Sequence, residues 1–232
     1  MLKKTTLIVL FFLIGTTVHS QVLLSLIFGD KLNSDGLEFG LEGGVNWSEI
    51  TAMEADKKLS EFNLGFYFDI RLKNQWHLDT GVLVKSSLGV DHLTDADLTY
   101  LEIEKEEEDG SYSQVMDYFI VPILIKYKLK NRMYFEAGPQ VGWMRESYVE
   151  FNHDSDSKEI ITKEFNTDKI NRIDAGLTLG TGYKLMDNAG MTLGIKYYIG
   201  MVDVYKNKSG TTNNSFFLKL NVPIGANKKK EK

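Results

Sequence analysis

The sequence predicts an all-β fold, an eight-stranded antiparallel up-and-down transmembrane β-barrel. Three observations carry that expectation. Apolar and polar residues alternate along eight separate stretches, the period of a strand whose two faces meet different surroundings. The connections between them alternate between tight turns and longer polar segments, the rhythm of outer-membrane barrels with short periplasmic turns and extended external loops. Glycine falls on the polar parity of these stretches, with Gly43 the exception. On a water-facing surface glycine would only weaken the strands, whereas inside a narrow tube it relieves crowding. The polar face is therefore expected inside and the bulky face towards lipid.

The chain has 232 residues, which suits a single barrel domain. It has no cysteine, which excludes disulfides, a thiol nucleophile and a lipoprotein anchor, and its net charge of −5 gives no reason to expect nucleic acid. Residues 1–20 read as a signal peptide. Lys3 and Lys4 precede the apolar run from Leu7 to Ile14, and Val18-His19-Ser20 forms a small-residue exit. That run is shorter than the roughly 20 residues a spanning helix needs. Residues 21–36 form a leader, 37–225 the barrel, and 226–232 a basic tail expected to be disordered.

The first strand sets Leu37, Phe39, Leu41, Val45 and Trp47 against Glu38, Glu42 and Asn46. The second and third, through Phe66, Phe68 and Ile70 and then Trp76, Leu78 and Val82, flank a tight turn at Lys73-Asn74-Gln75. Strands four and five form the hairpin Asp117–Trp143. Its greasy parity runs from Phe119 to Leu129 and from Met133 to Trp143, around a turn at Lys130-Asn131-Arg132. Pro122 lies mid-strand, where a residue without an N–H cannot complete the ladder, so a bulge or weakened pairing is expected there. Strands six and seven, through Ile173–Tyr183 and Met191–Met201, flank an asparagine–glycine turn at Asp187–Gly190. Phe216, Leu218, Leu220 and Val222 mark strand eight. Aromatic residues on the apolar parity near strand ends fit membrane-interface girdles.

The inward parity collects Glu38, Glu42, Asp69, Asp79, Glu136 and Asp174 with Arg71, Lys85, Lys126, Arg172, Lys184, Lys196 and Lys219. Eight strands leave no aqueous channel, so these charges are expected to form a plug of ion pairs rather than an ion path. No catalytic, cofactor-binding or metal-ligating set is expected. His77 faces inward and Ser86 and Ser87 follow strand three, but no hydrolase elbow surrounds them. The acidic run Glu102–Asp109 lacks the spacing of a calcium loop. The expected setting is a monomer in outer-membrane lipid, offering the external loops 89–116 and 145–171 to a protein partner. The alternatives are a soluble periplasmic barrel that binds an apolar ligand and, further off, a membrane acyl-hydrolase.

The runs LEFGLEGGVNWS, FIVPILIKYKL, EAGPQVGWM, DAGLTLGTGYKL and TLGIKYYIGM resemble the PorT-like outer-membrane β-barrel proteins of the Bacteroidota. The resemblance spans nearly all of the mature chain. It implies the barrel fold and an outer-membrane location, and brings no catalytic residues. One branch of that family is linked to a secretion system that moves cargo across the outer membrane. This chain departs from the usual aromatic terminal residue, ending instead in Val222-Pro223-Ile224-Gly225 and a lysine tail.

Overall fold

The computed structural model describes residues 36–155, 158–185 and 190–224. The expected signal peptide, the leader apart from Gly36, most of the Asp187–Gly190 turn and the basic tail lie outside the described residues. In chain order the elements are β1 (Leu37–Ile50), β2 (Leu59–Lys73), β3 (Trp76–Lys85), β4 (Ser87–Val90), α1 (Asp95–Leu101), β5 (Ser111–Lys128), β6 (Met133–Ser155), β7 (Lys158–Phe165), β8 (Ile173–Lys184), β9 (Thr192–Asp203) and β10 (Thr212–Pro223). Strands β1, β2, β3, β5, β6, β8, β9 and β10 pair in that order and close into a ring. The antiparallel seam between β1 and β10 runs from Gly40 opposite Pro223 to Ile50 opposite Asn213. β4 continues the line of β3 along β5, and β7 lies on β6 outside the ring. The eight-stranded barrel is therefore complete, and closure leaves its wall no open edge.

The alternation decides which face is inside. Ile123 is 45% exposed and its neighbour Leu124 fully buried. Phe135, Val141, Leu177, Leu179, Ile195 and Ile199 are exposed in the same way, while Glu136, Gln140, Thr178 and Lys196 are buried. A soluble barrel turns its apolar parity inward, so this outer band overturns the soluble alternative.

The outer halves of the strands depart from expectation. Segment 89–116 is not a plain loop, since it holds the second half of β4, all of α1 and the start of β5. Segment 145–171 continues β6 to Ser155 and returns as β7. Beyond the bilayer the outer face of a strand meets water, so the apolar-out signature disappears while pairing continues. Tyr112 and Met116 there point into the protein, with Ser113 between them.

Among the register shifts in the ring, two reset the faces at its outer half. An extra residue, Arg145, separates the pairs Asp117–Glu146 and Tyr118–Met144, so Met144 and Ser147 are both buried although their parity differs. In β3 the extra residue is Val84, between the pairs Gly65–Leu83 and Leu64–Lys85, and Lys85 consequently turns outward. At Pro122 the register is kept and the ladder is interrupted. Pairing with β6 stops at Pro122–Gln140 and resumes at Ile125–Ala137, and pairing with β3 skips from Thr80–Ile123 to Leu83–Ile120. The Thr80 hydroxyl donates to the Pro122 carbonyl at 2.8 Å. Weakened pairing is thus found at Pro122, without a bulge.

Over the outer mouth sits an ordinary apolar core. Ile50, Leu88, Leu93, Leu98, Leu101, Tyr112, Phe151, Ile170, Val204 and Tyr205 are buried together, with Met53 packed against them. α1 is fixed there by a capping box, in which the Thr94 side chain accepts from the Asp97 amide and Asp97 reaches back to the Thr94 amide. Asp97 also accepts the Glu54 amide at 2.8 Å, tying α1 to the β1–β2 connection.

Candidate functional site

The barrel interior holds a belt of charge. Paired backbone positions set its level: Asp69 lies opposite Asp79, Lys126 opposite Glu136, Glu136 opposite Gly180 and Gly180 opposite Lys196. Glu42 on β1 and Lys219 on β10 complete the circuit, so every ring strand except β8 supplies a charge, and β8 supplies glycine. A Cβ at Gly180 would stand 2.9 Å from the Glu136 Cγ, so the missing side chain is what leaves Glu136 its room.

The contacts run continuously round the tube. His77 Nδ1 meets Asp69 Oδ1 at 2.6 Å, and Lys128 meets the same oxygen at 2.9 Å. Lys126 pairs with Asp79 and lies 3.3 Å from Asp69 and 3.5 Å from Glu136. Glu136 is 2.7 Å from Lys219, which lies 3.9 Å from Glu42, and Glu42 accepts from Lys196 at 2.9 Å. The side chains of Asp69, Asp79, Glu136, Glu42, Lys126, Lys196 and Lys219 are at most 5% exposed. Buried ions are tolerated only when paired and hydrogen-bonded. The aromatic rings help: the Lys126 Nζ stands 4.7 Å from the Tyr134 ring centre and the Lys196 Nζ 5.0 Å from that of Phe217.

The remaining inward-parity charges lie elsewhere. Glu38, at the tight-turn end, accepts from the Tyr67 hydroxyl at 2.9 Å, and Lys184 is half-buried at the same end. Asp174 is buried without a cation, held by the Tyr198 hydroxyl at 2.8 Å and the Asn213 amide at 2.9 Å. Arg71, Lys85 and Arg172 are exposed and do not join the lumen. Arg71 stands near the end of β2, paired with His77 just before a register shift, Arg172 precedes the first residue of β8, and Lys85 follows the Val84 bulge.

Sequence reasoning missed a second interior layer. Asn63 donates to Asn46 at 3.0 Å, Asn46 to the Ser87 carbonyl at 3.0 Å, and Ser86 to Asn63 at 2.5 Å. The inward parity of Asn46 was its only signal. Ser86 and Ser87 are committed to Asn63 and Asp117, and His77 to Asp69, so these residues form no nucleophile–base pair. No cluster of metal-ligating side chains occurs among the described residues.

Solved structures similar to this chain include small outer-membrane barrels. Ail, the attachment invasion locus protein of Yersinia pestis, in complex with the heparin analogue sucrose octasulfate, aligns at 12% identity and a TM-score of 0.43, covering 82% of this chain and 100% of that one. OprG of Pseudomonas aeruginosa aligns at 12% identity and a TM-score of 0.35, over 81% and 93% of the two chains. Comparison with curated proteins gave no match. The family pattern described as the outer membrane protein beta-barrel domain matches residues 28–206, well over half of the sequence. With a closed ring whose outer band is apolar, this chain belongs to the outer-membrane β-barrel domain family and resides in the outer membrane.

Proposed function

We propose that this barrel is closed to solutes and acts as a structural or interaction protein through its external face, with no catalytic step of its own. The filled interior carries this reading. The charge belt, the Asn46–Asn63 layer and the apolar core over the outer mouth lie in series along the tube, and an eight-stranded interior is narrow enough for such layers to block it.

The external face supplies the interaction surface. Among the described residues β7 pairs with β6 and with no other strand, and Ile160, Ile161 and Phe165 are exposed on it. An edge strand bearing apolar side chains is a template for a partner. Of the two external segments, 89–116 turns most of its large apolar residues into the core, Tyr100 excepted, so the hairpin within 145–171 offers more. The PorT-like resemblance suggests a component of an export apparatus as that partner. Closure of the ring within one chain supports a monomer.

In planar bilayers the purified protein is expected to give no stepwise conductance. In cells, Ile161→Lys with Phe165→Lys should remove a cross-linked partner while the barrel keeps its heat-dependent gel mobility. Porin-like conductance would overturn the closed reading, and an unchanged cross-linking pattern would overturn the assignment to β7.

A further inference from the structure

The end of the barrel that carries the tight turns opens into a cavity of about 210 Å³. Its wall includes Lys128, Lys130, Arg132, Tyr134, Lys184 and Asn221. Donors converge on it from separate strands. Lys184 is drawn beside Arg132 by its backbone amide, which donates to the Arg132 carbonyl at 3.0 Å. The side chains of Lys130 and Lys184 make no ion pair among the described residues.

Deeper in, Asn221 is 1% exposed with neither atom of its amide group hydrogen-bonded, and Tyr134 is 3% exposed with its hydroxyl unpartnered. A buried amide or hydroxyl left unsatisfied costs about 1–3 kcal/mol, so two such groups lining one cavity point to something that satisfies them. The acids in the wall are already engaged. Asp69 is held by His77, Lys126 and Lys128, and Glu38 accepts from Tyr67.

We propose that this mouth is a binding site for a phosphate group, with Lys130 and Lys184 supplying charge and Asn221 and Tyr134 donating from the floor. A phosphate group presents mainly acceptor oxygens, and a phosphodiester only acceptors, which suits ammonium, amide and phenol donors arriving from different directions. In this class the tight-turn end faces the periplasm. There the group can come from an inner-leaflet phospholipid or from a soluble phosphate, and the two are separable by titration.

The full-length barrel in a non-ionic detergent and phosphate-free buffer is titrated calorimetrically with inorganic phosphate and, separately, with short-chain phosphatidylglycerol below its micellar concentration. Saturable binding of phosphate identifies a soluble ligand, and saturation by the lipid alone identifies a headgroup site. In either arm Lys130→Ala with Lys184→Ala should weaken binding about tenfold or more, since charge-assisted hydrogen bonds are lost. Asn221→Asp, which places a carboxylate on the floor, should abolish it. Lys58→Ala, on the opposite end beside Glu49, should leave it unchanged. Heat-dependent mobility reports that each variant is folded. No saturable isotherm with either probe, or equal binding by the folded variants, overturns the site.

Discussion

Gly180 and Glu136 show how far one side chain governs the interior. With any Cβ at position 180 Glu136 must shift, and Lys219 would then keep only its 3.9 Å approach to Glu42. Gly180→Leu should cost about 1–3 kcal/mol through overpacking, read from urea unfolding in lipid vesicles. Lys126 stands among Asp69, Asp79 and Glu136. Asp69 keeps His77 and Lys128 and Glu136 keeps Lys219, but Lys126→Met leaves Asp79 buried without its cation, so a loss of about 3–5 kcal/mol is expected. A neutral result would mean that water, not lysine, compensates the acids. On the opposite face, Ile123→Lys sets a cation against lipid and should cost about 2–4 kcal/mol if it sits near mid-bilayer. A cost near zero would turn the barrel inside out.

Among the elements, β5 is the least uniform. The interruption beside Pro122 leaves a stretch with fewer ladder bonds than the run through Lys126 and Glu136. Amide exchange should therefore be faster at Ile123 and Leu124 than at Lys126, and equal protection would contradict the interruption. That irregularity was legible because a proline's missing N–H is visible in any sequence. The eight ring strands were legible because lipid on one side and a packed lumen on the other impose a two-residue period. Lys85 was misread because a single inserted residue, Val84, reverses every face beyond it, and no residue type announces it. Arg71 and Arg172 were misread because parity assigns no packed face at the rim, where a strand ends or has not yet begun. The outer parts of β5 and β6, with β7 and α1, were hidden because the outer face there meets water and the apolar alternation stops.

The whole molecule joins two kinds of interior. Within the bilayer its centre is ionic and its surface apolar, whereas beyond the bilayer the order is reversed. β7 lies outside the ring, so replacing residues 152–162 with a short glycine–serine turn should leave the barrel closed. Retention of the heat-dependent gel shift checks this, and its loss would make β7 part of the folding unit. The apolar core at the outer mouth has a further consequence. Ile50, Leu98, Ile170 and Val204 come from different parts of the chain and meet in it. Surface loops of bacterial barrels ordinarily have freedom to drift under attack by phage or antibodies. Here that freedom should be confined to positions facing away from the core, such as the exposed run Glu104–Asp109 and the outer side of β7. An outer surface of this kind should change its charge readily and its shape hardly at all.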